Sequence, residues 1–170
     1  MKKKKYFLLP ALCLVAILVI LPVYVHNKDI ESKSEMETAL NQWMVNLESE
    51  YGELGENTSY GAIYRSLFDI DENTEDYLPI IRSYFGISEP KESLAGTTRK
   101  LLVAKKLNNR KKISRELSRL AGSDYSIEKA YYTEYLTEGT EERLDKFLVV
   151  SHNGHWYVYP DCGPIADLTK

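Results

Sequence analysis

Residues 147–159 read FLVVSHNGHWYVY, and this stretch decides the fold of the chain. Its centre, Asn153-Gly154, accepts the positive φ angles of a type I′ turn and therefore predicts a two-residue β-hairpin. The flanking arms are rich in aromatic and β-branched residues, which favour strands. The turn also sets the register, so that residues 148, 150 and 152 are predicted to lie opposite residues 159, 157 and 155.

Both faces of the predicted hairpin are apolar, so neither is expected to face water alone. One face should pack on helices, and the other should contact a partner, a ligand or more of the same chain. The candidate residues for a partner surface or a pocket lie on this hairpin and on the strand predicted before it. They are Leu148, Val150, Tyr157, Tyr159, Tyr131 and Trp156.

The strand predicted before the hairpin covers residues 125–135, where large side chains alternate with smaller or charged ones. Strands are also predicted over 144–151 and 155–159. Helical patterns fill the chain before residue 122, and helices followed by strands indicate an α+β domain. We expect helices packed on a curved antiparallel sheet that ends in the hairpin, behind an N-terminal transmembrane helix.

Four segments have the apolar spacing of amphipathic helices. The first, 34–51, begins with a capping-box pattern and places Glu48 off its apolar stripe. Shorter helices are predicted over 59–68 and over 76–86, with a proline in the first turn of the second. Residues 97–121 are rich in helix formers and basic side chains, and they are predicted to form one helix, or two if the asparagine pair near the middle divides them.

The hairpin resembles the end of the nuclear-transport-factor-like (cystatin-related) α+β roll superfamily. The resemblance covers residues 34–51, as a long first helix, and 125–159, as the sheet. It implies a helix packed across a bent sheet with a cone-shaped pocket between them. That superfamily includes isomerases, dehydratases and many non-catalytic modules, some of them tethered by one membrane helix in envelope assemblies. The resemblance therefore implies a fold and a pocket, but no particular reaction.

Residues 6–25 are an uncharged, apolar run that follows Lys2 to Lys5. About 20 apolar residues can cross a hydrocarbon core about 30 Å thick, and the lysines predict a cytoplasmic N-terminus. A cleaved signal peptide is the alternative, although the run is longer than a signal-peptide centre and no A-x-A site follows it. We expect cytoplasmic lysines and an anchor over 1–25, a linker over 26–33 and an extracytoplasmic domain over 34–170 in the cell membrane.

The domain outside the membrane is predicted to be acidic. The four N-terminal lysines are part of 22 basic residues, so the remainder carries 18 basic against 25 acidic residues, a net charge of −7. This balance argues against nucleic-acid binding. The basic run around Lys105, Lys106, Lys111 and Lys112 could contact anionic lipids or wall polymers, or it could be neutralised by the acidic segments of the same chain.

No metal site or cofactor is predicted. His152 and His155 should meet across the turn, but zinc normally takes at least three protein ligands. The acidic segment from Asp69 resembles a calcium loop at three positions, yet it lacks the glycine and the final glutamate that such a loop needs. Cys162 is the one cysteine after the apolar run, so no disulfide within the outer domain is expected.

An isomerase-like site would need a carboxylate beside a tyrosine that stabilises an oxyanion. The nearby carboxylates are Asp161, Glu128 and Glu134, and the tyrosines are Tyr131, Tyr157 and Tyr159. Nothing in their spacing selects one pair. We therefore predict a non-enzymatic binding or assembly module of the cell envelope, whose partner is another envelope protein or a second copy. The alternative is a small-ligand or isomerase-like pocket.

Overall fold

The computed structural model describes residues 29–54, 58–139 and 142–170. Backbone contacts divide the chain into two units, Met1–Glu35 and Met36–Lys170. The predicted anchor at residues 6–25 lies outside the described residues. Where the structure does describe the chain, none of its helices combines the length and the apolar character that crossing a bilayer requires.

The second unit is an α+β domain with one four-stranded antiparallel sheet, which confirms the predicted class. The first helix, α1, covers residues 29–48. The remaining elements are α2 (Thr58–Phe68), α3 (Leu78–Tyr84), β1 (Thr98–Lys106), α4 (Arg110–Ala121), β2 (Lys129–Glu138), β3 (Arg143–His152), β4 (His155–Pro160) and α5 (Gly163–Thr169). The strands lie in the order β1-β2-β3-β4.

The hairpin between β3 and β4 has the predicted register. His152 lies opposite His155, Val150 opposite Tyr157 and Leu148 opposite Tyr159. Asn153 and Gly154 have φ angles of 50° and 76°, which are the left-handed values that a type I′ turn requires at both positions. Local turn chemistry therefore fixes the pairing of the last two strands.

One face of the sheet packs on α1. The Trp43 ring meets the Phe147 ring edge-on at 5.3 Å between centroids, and the Tyr135 hydroxyl donates to Asn41 Oδ1 at 2.9 Å. The space between α1 and this part of the sheet is filled by aromatic side chains. The cone-shaped pocket implied by the resemblance is therefore occupied by the core at this position.

The opposite face of the hairpin is also packed by the chain itself. The Tyr125 and Tyr159 hydroxyls are hydrogen-bonded at 2.8 Å, and Ser118 on α4 accepts from the Tyr125 N–H at 2.9 Å. At the β4 edge, the Tyr64 hydroxyl donates to the Val158 carbonyl. Near the turn, both faces of the sheet are thus covered, and the buried hydroxyls are paired.

The prediction of helix over 97–121 is wrong for its first half. Residues Thr98–Lys106 form β1, and only Arg110–Ala121 are helical, as α4. Lysine and leucine favour helices in isolation, but pairing with β2 overrides that preference. The pairing shifts register between Leu101 and Val103, which places a bulge at Leu102.

The bounds of other elements also differ from the predictions. Helix α1 includes residue 34 in its interior, so Ser34 is not an N-cap, and residues 29–33 of the predicted linker are helical. The helix ends at residue 48, and Tyr51 is 79 % exposed. Strand β2 begins four residues later than predicted and runs to Glu138, while α5 was not predicted. Helices α2 and α3 lie close to where their patterns placed them.

Candidate binding site at the open end of the sheet

The end of the sheet farthest from the hairpin turn, where β2 ends and β3 begins, carries a row of polar side chains. Arg99 on β1 lies opposite Thr137 on β2, and Thr137 lies opposite Arg143 on β3. Directly opposed residues of antiparallel strands share a face and have neighbouring Cβ atoms. Two guanidinium groups therefore flank one threonine hydroxyl.

Glu48, in the last turn of α1, forms ion pairs with both arginines. Its Oε2 lies 2.5 Å from Arg99 Nη2, and its Oε1 lies 2.9 Å from Arg143 Nη2. Arg143 also donates from Nε to Asp145 Oδ2 at 2.6 Å. We refer to Glu48, Arg99, Arg143 and Asp145 as the ion network. Sequence reasoning placed Glu48 off the apolar stripe of α1, but its side chain is buried, with 4 % of the residue exposed.

The ion network balances two positive against two negative groups in a largely buried position. Burial raises the pKa of the Asp145 carboxyl, and the negative charge of Glu48 raises it further. The hydrogen bond and the positive charge of Arg143 lower the pKa, but by less than burial raises it. A buried ion network has a large desolvation cost, so it is weak grounds for inferring stability. Perturbed carboxylates in clefts are enriched at functional sites.

Backbone contacts hold the end of α1, and thus Glu48, in place. Arg82 on α3 donates to the Leu47 carbonyl at 2.8 Å and to the Ser49 carbonyl at 2.5 Å. The Lys91 N–H donates to the Glu48 carbonyl at 2.8 Å, and the Lys91 carbonyl accepts from the Glu50 N–H at 3.1 Å. These bonds satisfy carbonyls that a helix C-terminus leaves without partners. They also bring Lys91 to the open end of the sheet.

A cavity of about 330 Å³ lies over this row and is lined by Glu48, Phe85, Lys91, Thr137 and Arg143, among others. We call it the Thr137 cleft. Thr137 is 5 % exposed, and within the described part of the chain no atom hydrogen-bonds to its Oγ1. The same holds for Nε of Arg99. Unpaired buried polar atoms are few in native proteins, and each calls for an explanation.

A second cavity of about 290 Å³ lies beside the first residues of β3 and is lined by Tyr84, Phe85, Leu144, Asp145, Lys146 and Asp161. We call it the Tyr84 groove. Strand β4 ends at Pro160, opposite Phe147, so residues 143–146 of β3 extend beyond their neighbour. The Asp161 N–H donates to the Lys146 carbonyl at 2.9 Å. Peptide groups alternate along a strand, so the N–H and C=O of Leu144 point the same way as that carbonyl.

Cys162 lies next to this groove. Its thiol is half-buried and hydrogen-bonds with the Tyr84 hydroxyl. Burial raises the pKa of the Cys162 thiol and also that of Tyr84. A raised pKa keeps the thiol protonated and therefore weakly nucleophilic.

The six hairpin candidates lie elsewhere, at the turn end of the sheet. Leu148, Val150 and Tyr159 are fully buried in the core, and Tyr131 is buried beside them. Tyr157 and Trp156 are half-buried. Four of the six are thus core side chains of this domain and present no exposed patch to a partner.

The four candidate lysines do not lie on one helix. Lys105 and Lys106 end β1, whereas Lys111 and Lys112 begin α4. All four are exposed, and the Lys112 ammonium donates to the Asp167 carbonyl at 2.9 Å. The separation follows from the strand that replaced the first half of the predicted helix.

The three candidate catalytic carboxylates are bonded to hydroxyls other than those of the candidate tyrosines. Glu128 accepts from Ser151 at 2.9 Å, Glu134 accepts from Tyr132 at 2.6 Å, and Asp161 accepts from Thr169 at 2.6 Å. They lie at separate positions along the sheet and its end. The structure brings Asp161 into the Tyr84 groove, together with Asp145.

The two weak metal motifs have ordinary structural roles. The His152 ring stacks on Tyr125 at 4.1 Å, and its Nδ1 is hydrogen-bonded to the Ser126 carbonyl. Asp71 accepts from the Asn73 N–H at 2.7 Å in a local turn. Within residues 29–54, 58–139 and 142–170, no group of three or more His, Cys, Asp or Glu side chains could hold a metal ion.

Sequence reasoning missed the residues of the open end. Glu48, Arg99, Thr137 and Arg143 come from four elements, and no local motif joins them. One signal was present in Arg143 and Asp145, because charges two residues apart in a strand share a face. In comparisons with known proteins, no protein-family model matches the chain, and no curated protein or solved structure matches it either.

Proposed function

We propose that this protein is a non-catalytic, membrane-anchored binding module of the cell envelope, which holds an extended segment of a partner protein in the Tyr84 groove. One observation carries the proposal: β3 continues for four residues beyond the end of β4. A strand edge that lies in a groove is a template for an added strand, whose main chain bonds to it.

The added segment would run in line with β4 and antiparallel to β3. Its main chain would pair with the outward N–H and C=O of Leu144, the position that β4 would fill if it were longer. The chain instead turns away at Pro160, where Asp161 bonds back to Lys146 and Gly163 starts α5. Backbone pairing supplies affinity in this mode of binding, and alternate side chains supply specificity.

The walls of the groove indicate the side chains that suit it. Leu144 is 51 % exposed, so an apolar residue opposite it would cover it on the same face of the sheet. Tyr84 is 52 % exposed and adjoins Phe85, whose ring stacks on Phe147 of the other face, so alternate side chains of the segment would contact it. Asp161 of the chain itself already lies opposite Lys146, to whose carbonyl its N–H donates at 2.9 Å. The added segment would therefore pair from Leu144 onward, and Lys146 does not select a residue in it.

A second copy is the alternative occupant of this edge. Because only the even-numbered residues of β3 point outward here, antiparallel self-pairing would place Leu144 of one copy opposite Leu144 of the other, and Arg143 opposite Asp145. The other sheet edge, β1, is less suited to pairing. It carries a bulge and exposed lysines, which are features that protect edge strands.

The anchor in this proposal is the apolar run at residues 6–25, with the lysines before it in the cytoplasm. The binding domain would then lie on the outer side of the membrane. A tag fused after Lys170 should be digested by protease added to intact cells. Protection in intact cells together with digestion after lysis would contradict this topology.

The binding proposal is tested by selecting extended peptides from a displayed library against the full-length chain. Selected peptides should slow hydrogen exchange of the Leu144 amide. Leu144→Pro removes the outward N–H without removing a bond to β2, because proline is tolerated where the N–H faces away from the sheet. We expect it to weaken binding by about tenfold or more, the equivalent of roughly 1.4 kcal/mol.

Leu144→Ala is the matched control, because it keeps the N–H while shortening the side chain. It should retain the exchange protection and lose only the apolar part of the affinity. The proposal would be overturned if Leu144→Pro bound the selected peptides as well as the wild-type chain does. It would also be overturned if bound peptides protected the β1 amides instead.

A further inference from the structure

We propose that the Thr137 cleft is a binding site for a small monocarboxylate, held by Thr137, Arg143 and Lys91. This site is separate from the strand edge of Leu144 and does not depend on the proposed peptide binding. It gives the small-ligand alternative a specific place and a specific ligand chemistry.

The Thr137 hydroxyl is the first observation. It lines the cleft, it is buried, and within the described residues nothing bonds to it. The Thr137 side chain lies between two arginines. Valine has the same shape and would fill this position without leaving a polar atom unpaired, so packing alone does not explain the hydroxyl. A ligand acceptor in the cleft would complete the pairing that the folded chain leaves unmade.

Positive groups converge on the same space. Arg143 uses Nε for Asp145 and Nη2 for Glu48, and its planar guanidinium carries further N–H donors on Nη1. The Lys91 ammonium reaches over the end of β2, 3.9 Å from where a Cβ at Gly139 would lie. Guanidinium, ammonium and hydroxyl donors together are suited to a carboxylate, because hydrogen bonds between charged groups are the stronger ones.

The chain itself shows that this row of side chains accepts a carboxylate. The Glu48 carboxylate lies between Arg99 and Arg143, at 2.5 and 2.9 Å from their nitrogens. A ligand carboxylate would bind on the cleft side of Arg143, beside this internal one. The ion network would hold Arg143 in place before the ligand arrives.

The rim limits the charge of the ligand. Glu89 and Glu142 are exposed and line the mouth of the cleft. They would repel a second negative charge, so a dicarboxylate or a phosphate dianion should bind more weakly than a monocarboxylate. A volume of about 330 Å³ is at the small end of the range for ligand pockets.

Two sources offer this chemistry: a free monocarboxylic acid and the C-terminal carboxylate of a peptide. A peptide that paired antiparallel with β3 would end beside Arg143, and Phe85 lines both the Tyr84 groove and the Thr137 cleft. Both sources would present the same carboxylate to the same three residues. The experiment therefore needs one arm for each source.

The full-length chain is titrated with acetate, with inorganic phosphate, and with one N-acetylated tripeptide prepared both as the free acid and as the C-terminal amide. Binding is followed by chemical-shift changes of the Thr137 and Arg143 amides. We expect saturable acetate binding that weakens at least tenfold in Thr137→Val. Thr133→Val is the matched control, because Thr133 is buried on the same strand face but bonds to the Phe147 carbonyl at 3.5 Å.

Stability provides an independent readout of the same variants. Thr137→Val should raise the midpoint of urea unfolding, because it removes an unpaired buried hydroxyl. Thr133→Val should not raise it. Lys91→Gln, at a half-buried position, should weaken acetate binding while leaving the midpoint near that of the wild type.

Acetate binding that is unchanged in Thr137→Val would overturn the proposal. A lowered midpoint of urea unfolding in that variant would overturn it too, and so would tighter binding of phosphate than of acetate. If the free-acid tripeptide binds more tightly than acetate and the amide does not bind, the source is a peptide C-terminus. Equal affinities for acetate and the free-acid tripeptide indicate a free acid. Acetate binding that survives Leu144→Pro would support this site even where the strand-edge proposal fails.

Discussion

The two ends of the sheet differ in how their side chains are packed and paired. At the hairpin end, Leu148, Val150 and Tyr159 are fully buried, and the Tyr125 and Tyr159 hydroxyls satisfy each other at 2.8 Å. At the open end, charged side chains replace apolar ones, and Thr137 and Arg99 retain buried polar atoms that have no partner among the described residues. The same β2 and β3 strands pass through both environments.

If the open end is the binding site proposed above, this contrast separates folding from function within one sheet. The hairpin end has local turn chemistry, dense aromatic packing and paired hydroxyls, all of which favour the same structure. The open end departs from these rules, and such departures are expected where a site serves something other than stability. Substitutions at each end of the sheet show whether the contrast is energetic as well as geometric.

The largest expected effect is at the centre of the ion network. Glu48→Leu would leave the Arg99 guanidinium, whose side chain is 11 % exposed, without its carboxylate, and losing one partner of a buried pair costs about 3–5 kcal/mol. Urea unfolding of the full-length chain measures the change. Glu116→Leu is the control, because it breaks the pair with Arg119, whose side chain is 61 % exposed, and should have a much smaller effect.

A second substitution tests the cause of that loss. If an unpaired guanidinium is responsible, Glu48→Leu combined with Arg99→Met should recover part of the stability, since both charges are then absent. A double variant less stable than Glu48→Leu alone would show that packing, and not charge, dominates at this position. The contrast between the two ends of the sheet would then be one of shape only.

A smaller effect is expected at the hairpin end. Tyr159→Phe leaves the Tyr125 hydroxyl buried and unpaired, which should lower the free energy of unfolding by about 1–3 kcal/mol. Replacing both tyrosines by phenylalanine should be nearly neutral, because neither hydroxyl is then left without a partner. Urea unfolding of the two single variants and the double variant gives the coupling. Additive losses would mean that the hydroxyls do not form a pair.

The hairpin could be predicted because its determinants are adjacent in sequence. Asn153-Gly154 sets the turn, and the turn sets every later pair in β3 and β4. The helical stripe of α1 and the first-turn proline of α3 are equally local. These patterns predicted the α+β class and most of the core around Trp43 and Phe147.

Strand β1 and the ion network could not be predicted, because both depend on contacts between residues far apart in the sequence. Strand β1 has the composition of a helix, and only its pairing with β2 makes it a strand. The ion network joins residues 51 and 95 positions apart, Glu48 with Arg99 and Glu48 with Arg143. Glu48 looked like a solvent-facing residue because its partners are not visible from the sequence of α1. A single sequence contains no signal for such a pairing.

The smallest expected effect concerns pH and Asp145, at the edge of the ion network. Its ordinary pKa of 3.8 applies to the unfolded chain, and burial raises the pKa in the folded domain. Between these two values the folded state holds the proton more tightly, so the carboxyl lowers stability as pH rises through that window. The stability of the wild type relative to Asp145→Asn, measured by urea unfolding, should therefore fall with rising pH across the window.

Asp71 provides a control of opposite sign on the exposed surface. Hydrogen bonds from Asn73 hold the pKa of its carboxyl below 3.8, so the folded state favours the charged form. The stability of the wild type relative to Asp71→Asn should rise with pH up to that value and then level off. If both differences rose with pH, the Arg143 hydrogen bond would outweigh burial at Asp145. The charged form of Asp145 would then be stabilised by its partners at the open end, just as the Tyr125 and Tyr159 hydroxyls are paired at the hairpin end.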